Sequence, residues 1–310
     1  MKSILTLALI FGASLVSCAT GDRAIGVFGA RVEGPEKFNA PYGIAVDSNA
    51  RLIFVADGPG IKVFDANLKF IKQIGAGHAF PVAVAVDTKL QRAYLVDNLG
   101  DSVTTYTYDG RSLRSLGGRG SGGPVLKSPW SVAVDSDSHE IVASDEDNNR
   151  VLVFDADGAY LRKIGEPDAD KRFVRPTAVA IDSRTHEVFV ADSTGVQVFD
   201  SRGRYLRRLD VKDCQNGGSS KQIYGLAIMD VPRVVLVSDY GNECIQEVQP
   251  DGLYVGHFRI DYPAEGRMAE APSTPAGIAV LEGGDRIFVV DTAHDRVVIL
   301  TARSLPSTRR

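Results

Sequence analysis

The 310-residue chain reads as an all-β protein, a six-bladed β-propeller with four antiparallel strands per blade, closed by its N-terminal strand. Three observations lead to this fold class. A phrase ending on aspartate recurs six times along the chain. Each copy is followed by further short apolar runs, separated by turns rich in Asp, Ser, Asn and Gly. No segment beyond the N-terminal leader has the periodicity of an amphipathic helix. With 44% hydrophobic and 24% charged residues, the chain can bury a large core.

The copies are PYGIAVDSNARLIFVAD (41–57), PVAVAVDTKLQRAYLVD (81–97), PWSVAVDSDSHEIVASD (129–145) and PTAVAIDSRTHEVFVAD (176–192), with two weaker ones, IYGLAIMDVPRVVLVSD (223–239) and PAGIAVLEGGDRIFVVD (275–291). Their closing residues Asp57, Asp97, Asp145, Asp192, Asp239 and Asp291 fall 40, 48, 47, 47 and 52 positions apart. Unit three shows all four strands, SVAV, EIVAS, RVLVF and YLRKIG. Four strands per 40 to 50 residues are the mark of propeller blades. The last unit has only three strands, ending near VVILTA (297–302), while RAIGVFG (23–29) matches the outer-strand segments FIKQIG and YLRKIG. An open ring would expose unpaired sheet edges, so Ala24 to Phe28 is expected to complete blade six. One alanine recurs in each first strand, at Ala45, Ala85, Ala133, Ala180, Ala227 and Ala279, where blades crowd near the axis. The six aspartates end their strands at a turn, and a short carboxylate there accepts the backbone N–H groups of that turn. A repeated structural need explains them without a metal.

After the aspartate, unit three continues DEDNNRVLVFDADG and unit six DTAHDRVVIL, with Asn148 or His294 three positions on and Arg150 or Arg296 five positions on. These segments resemble NHL repeats, and the resemblance extends over nearly all of residues 23–303. Units one and four shorten the turn by two residues, unit two has Gly100 and Ser102, and unit five has Cys244 where Arg is usual. The resemblance implies a six-bladed propeller. NHL propellers serve mostly as binding platforms for protein or RNA, and some relatives are enzymes, so the fold alone does not fix the function.

The first residues read differently. Lys2 precedes an apolar run, Ile4 to Val16, too short to span a bilayer, and the run ends at LVSC, Leu15 to Cys18. This resembles a bacterial lipobox, which implies cleavage before Cys18 and lipidation of its thiol. Ala19 in place of Asp resembles the outer-membrane sorting case of Gram-negative lipoproteins. The expected organisation is a leader at 1–17, an anchor linker at 18–22, the propeller at 23–303 and a tail at 304–310. Removing the leader deletes one lysine, so the net charge goes from −4 to −5. With no basic block, nucleic acid is not an expected partner.

The peptidyl-hydroxyglycine amidating lyase is similar in repeat pattern, and there zinc-binding histidines follow the Pro that opens certain inner strands. Here those places hold Tyr42, Val82, Trp130, Thr177, Tyr224 and Ala276, so that zinc site is not expected. Of the five histidines, His139 and His186 fall on the opposite face from His78 and His294, His257 belongs to an outer strand, and all read as solvated turn residues. GGRGSGG (117–123) lacks the features of a phosphate loop, and no nucleophile motif is present. No catalytic set, metal or cofactor is assigned. Tyr42, Trp130 and Tyr224, from blades one, three and five, are expected at one channel mouth with Arg175 close by, either to bind a peptide, sugar or planar ligand or to pack under the connecting loops. Cys214 and Cys244 fall on that face in neighbouring blades, and in an exported protein they are expected to form a disulfide. The expected function is a membrane-anchored scaffold in the cell envelope, on the periplasmic face of the outer membrane if the host is Gram-negative, that binds another envelope protein, a glycan or a peptide. The alternatives are a lyase or hydrolase acting at the aromatic mouth and a small-ligand binder.

Overall fold

The computed structural model describes residues 24–29, 34–118, 123–165, 172–212, 214, 222–260, 274–281 and 286–301. The leader, Cys18, the linker and the tail lie outside the described residues. Twenty-four strands among the described residues form six four-stranded antiparallel sheets. Blade one holds β2 (Gly43–Asp47), β3 (Leu52–Asp57), β4 (Gly60–Asp65) and β5 (Phe70–Ile74). Blade two holds β6 (Pro81–Asp87), β7 (Arg92–Asp97), β8 (Ser102–Thr107) and β9 (Ser112–Leu116). Blade three holds β10 (Pro129–Asp135), β11 (Glu140–Asp145), β12 (Arg150–Phe154) and β13 (Tyr160–Ile164). Blade four holds β14 (Ala178–Ile181), β15 (Val188–Asp192), β16 (Gly195–Phe199) and β17 (Tyr205–Leu209). Blade five holds β18 (Ile223–Asp230), β19 (Arg233–Asp239), β20 (Cys244–Val248) and β21 (Tyr254–Phe258).

Blade six runs β22 (Pro275–Val280), β23 (Ile287–Asp291), β24 (Arg296–Leu300) and, outermost, β1 (Ala24–Phe28). The ring closes as the sequence led us to expect, with Ala24 opposite Leu300 and Phe28 opposite Val297. Each inner strand contacts the next around the circle, including β22 against β2. We call the face where inner strands begin the mouth face, and the face where they end the base face.

Burial is graded from the axis outward. The second and third strands are covered on both sides by neighbouring blades, so LIFVAD and GVQVF are almost wholly buried, and such strands read as unbroken apolar runs. Outer strands such as β5 and β17 alternate exposed and buried residues because one face meets water. The core is six apolar clusters, one in each gap between blades. Ala85, Ala180, Ala227 and Ala279 lie buried within these clusters, and Ala45 and Ala133 pack against them.

The six aspartates are buried at the mouth-face end of each second strand. Their turns use them as expected in three blades, where the N–H groups of Gly100, Thr194 and Asn242 donate to Asp97, Asp192 and Asp239. The constant partner, however, lies 17 or 18 residues upstream, in the connection that arrives from the previous blade. Asn39 N–H donates to Asp57 at 2.6 Å, Phe80 N–H to Asp97 at 2.9 Å and Lys127 N–H to Asp145 at 2.7 Å. Val174 N–H donates to Asp192 at 3.1 Å and Thr274 N–H to Asp291 at 3.1 Å, and the backbone of Gln222 does the same for Asp239. A side chain from the third strand completes each clamp in five blades: Lys62, Arg150, Gln197, Gln246 and Arg296. In blade two that place is taken by His78, whose ring bridges Asp97 and the Tyr106 hydroxyl.

The base face has a second set of ties that corrects the reading of the histidines as solvated. His139 meets Asp87 of the preceding blade at 2.7 Å, and His186 meets Asp135 at 2.8 Å. Arg233 takes the same place in blade five and binds the fully buried carboxylate of Asp182. Each sits at or just before the start of a second strand and reaches the aspartate at or just past the end of the first strand of the blade before it. On the mouth face, His294 is held by Asp291, and His257 pairs with the Tyr254 hydroxyl on β21. A disulfide joins Cys214, past the end of β17, to Cys244 at the start of β20, linking blades four and five.

Burial alone would raise the Asp97 carboxyl, but N–H donation from Phe80, Ala79 and Gly100, with His78, outweighs it and holds the group below the usual carboxylate range. A carboxyl depressed in the folded state adds stability above its unfolded value near pH 3.9 and loses it as pH falls through its folded value. Urea midpoints should therefore drop on acidification below about pH 4, and Asp97→Asn should lower the neutral-pH midpoint while flattening that drop. Arg233→Ala, which leaves Asp182 buried without its cation, should cost about 2–3 kcal/mol in equilibrium unfolding, somewhat under a fully buried pair because Arg233 is partly exposed. Arg204→Ala, which breaks the exposed pair with Asp200, should cost under about 1 kcal/mol. Reducing the Cys214–Cys244 bond should lower stability by about 2–4 kcal/mol, read as a shift of the denaturant midpoint on adding dithiothreitol.

Candidate functional site

The mouth is built by the residues that follow each clamp and each opening proline. The residues after the opening position are uniformly small, namely Gly43, Ala83, Ser131, Ala178, Gly225 and Gly277. The reason is close backbone approach between blades. A Cβ on Gly43 would sit 2.5 Å from Ala83 Cα, and one on Gly277 would sit 2.6 Å from Tyr42 O. Gly277 N–H instead donates to Tyr42 O at 2.8 Å, stitching blade six to blade one. Asn98 and Thr292, each directly after a clamp aspartate, donate to the carbonyls of Pro129 and Pro41 in the next blade. This lacing narrows the mouth and turns the larger side chains toward the axis.

Tyr42, Trp130 and Tyr224 come together there. The Trp130 ring lies 4.9 Å from Tyr224 and 6.3 Å from Tyr42. Two rings that the sequence reading did not single out join them: Phe80, 5.2 Å from Tyr42, and Tyr240, 5.1 Å from Tyr224. Phe80 immediately precedes an opening proline and Tyr240 immediately follows a clamp aspartate, which is the positional signal that could have found them. All five are half-buried. Rings from blades one, three and five in mutual contact meet across the axis, so they form a platform over the channel instead of lining an open bore.

Arg175 stands at its edge. Its guanidinium bonds the nearly buried Glu146 carboxylate at 2.7 and 2.9 Å, its N–H takes Asn149 Oδ1, and the side chain is otherwise 66% exposed. Glu146, missed in the sequence, directly follows the clamp Asp145. Burial raises the Tyr42 and Tyr224 phenols, with Tyr240 adding to both and Glu146 to Tyr224. Both therefore remain neutral hydroxyls at physiological pH, able to donate and accept hydrogen bonds. The surface offered is aromatic and polar-edged, with the exposed Arg175 cation beside it, which suits a peptide backbone, a sugar ring or a planar group.

Among the described residues, two sets bring three ligand-type atoms within 4.8 Å of one another. In one, Cys214, Cys244 and Asp239, the two sulfurs are bonded together. In the other, Asp135, Asp137 and His186 on the base face, Asp137 is already paired with Lys89 at 2.5 Å, and that ammonium opposes a cation. The base face also has a cavity of about 720 Å³ on the axis, walled by Val46, Val134, Ile181, Ile228 and Val280 and rimmed by Arg184, which pairs with Asp230.

By sequence, the chain has no significant match among curated proteins. By fold, it is similar to streptogramin B lyase, with a TM-score of 0.62 and 11% identity over 89% of this chain and 96% of that one. It is also similar to a hydrazine synthase of Kuenenia stuttgartiensis, with a TM-score of 0.61 and 12% identity over 88% and 98% of the two chains. A third similar structure is a catalytically inactive virginiamycin B lyase of Staphylococcus aureus with quinupristin, with a TM-score of 0.60 and 13% identity over 87% and 97%. At these identities the likeness is one of fold. Residues 126–154, which run from the clamped connection through the third strand of blade three, match the NHL repeat model. That match covers one repeat, in blade three, and the closed ring of six four-stranded blades makes the chain a six-bladed β-propeller.

Proposed function

We propose that the protein is a lipid-anchored binding propeller of the bacterial cell envelope, which holds a protein segment or glycan of a partner against its aromatic mouth. The observation that supports this most is the platform of Tyr42, Phe80, Trp130, Tyr224 and Tyr240 beside the exposed Arg175. Aromatic and arginine side chains carry most of the energy of protein interfaces, particularly when clustered at the centre of a face. Here they are gathered on the axis by a backbone stitched between blades, so little ordering is needed on binding. The anchor rests on the lipobox-like LVSC and the leader before it.

An enzymatic reading draws on the fold shared with the lyases. The acid–base groups placed near the mouth among the described residues are already paired: Glu146 with Arg175, His78 with Asp97 and Tyr106, His257 with Tyr254, and His294 with Asp291. The binding reading needs no such group.

The test is affinity capture from detergent-solubilised envelopes, followed by calorimetric titration of the captured partner into the unchanged protein and its variants. Trp130→Ala or Tyr224→Ala should weaken the partner by about 30-fold or more, as expected for removal of a hot-spot residue at about 2 kcal/mol. Arg204→Ala, on the outer turn of blade four, should leave binding unchanged. Turnover of an envelope substrate with no retained partner would contradict the proposal.

A further inference from the structure

The path of β1 fixes which face of the ring a lipid anchor reaches. β1 pairs antiparallel to β24, and β24 starts beside the Asp291 clamp at the mouth face and ends at Leu300 on the base face. Ala24, opposite Leu300, is therefore at the base edge of blade six, and the chain climbs from there to Phe28 at the mouth. Ala24 lies six positions after Cys18, and six fully extended steps span at most about 20 Å. Inner strands of four to eight residues make a blade roughly 15–25 Å tall before its turns are added. A tether leaving the base edge meets lipid below the base at once but spends most of its length climbing beside β1 to the mouth, so it favours the base face toward the bilayer.

The outer strands supply a second, independent observation. Each of five carries an exposed aliphatic residue at its second position, next to the base edge: Ile25, Ile71, Leu113, Leu161 and Leu206. These side chains stand one per blade at a single height, so a bilayer meeting the base edge would take them out of water together, which is favourable for each. This girdle lies at the edge where the tether emerges.

We infer that the propeller stands on the bilayer by its base edge at blade six, with the aliphatic girdle toward lipid and the aromatic mouth turned away from the membrane. The inference rests on the lipid-anchor reading of Cys18 and adds the direction from which a partner arrives. A soluble or cell-wall partner approaches the mouth without obstruction, while the base cavity faces the membrane surface.

The test uses the full acylated protein reconstituted in phosphatidylcholine–phosphatidylglycerol vesicles doped with a dansyl-headgroup lipid. Energy transfer to dansyl falls steeply with height above the bilayer. Trp130, the lone tryptophan, reports the mouth. Asn49→Trp and Val231→Trp, each in a Trp130→Phe background, report the base turns of blades one and five, which flank blade six. Transfer from the two base positions should exceed that from Trp130 several-fold. Ile25→Ser with Leu206→Ser should reduce the difference by letting the ring tilt on its tether. Equal transfer, or stronger transfer from Trp130, on protein whose Cys18 is shown by mass to carry acyl chains would overturn the orientation and leave the anchor standing. Absence of acyl mass on Cys18, with Cys18→Ala partitioning as the unchanged protein does, would remove the anchor and the orientation together.

Discussion

A buried carboxylate at the end of each second strand holds the connection that enters its own blade, and the geometry of the mouth depends on that contact. The connections between blades lie outside the sheet ladders, so their N–H groups need partners from elsewhere. The aspartate supplies one. In three blades its charge is balanced within the same clamp by Lys62, Arg150 or Arg296, and in blades two and six a ring nitrogen of His78 or His294 also bonds the carboxylate. In blades four and five, neutral amides of Gln197, Asn242 and Gln246 serve, and burial leaves Asp239 above the ordinary carboxylate range despite them. The clamp is thus a fixed place filled by different chemistry.

Its consequence is positional. A connection pinned one or two residues before the opening position, Pro41, Pro129 or Ile223, delivers the next residue, Tyr42, Trp130 or Tyr224, to the axis at a set height. Small residues just beyond let neighbouring backbones touch and hydrogen-bond, and the residues just after the clamp fill the remaining space with Asn98, Glu146, Tyr240 and Thr292. The aromatic platform is therefore a product of the same contacts that close the ring. The base face is tied differently, by His139, His186 and Arg233 reaching back one blade, and it retains an open cavity where the mouth is filled.

What could be read from the sequence was what repeats locally. The six phrases gave the blade count, and the match of RAIGVFG to FIKQIG gave the closing strand, because both are strings of side chains with a strand's period. The meeting of Tyr42, Trp130 and Tyr224 followed from their shared place after the opening position. The upstream partners of the aspartates were hidden, because Asn39, Phe80, Lys127, Val174, Gln222 and Thr274 donate through the backbone, which imposes no common residue. Within their own units His139 and His186 read as solvated turn residues, whereas the partner of each lies one unit earlier, 52 or 51 positions away. Phe80, Glu146 and Tyr240 went unmarked because the positions flanking proline and aspartate vary from unit to unit.

The clamp is most directly tested by residue-resolved amide hydrogen exchange. The amides of Asn39, Lys127 and Val174 lie in connections between blades, outside any strand ladder. If the buried carboxylates hold these connections, those amides exchange as slowly as the central strands beside them and open only with the blade. Exchange as fast as that of the exposed turns at Asn67 or Arg202 would show the connections opening on their own and would contradict the account.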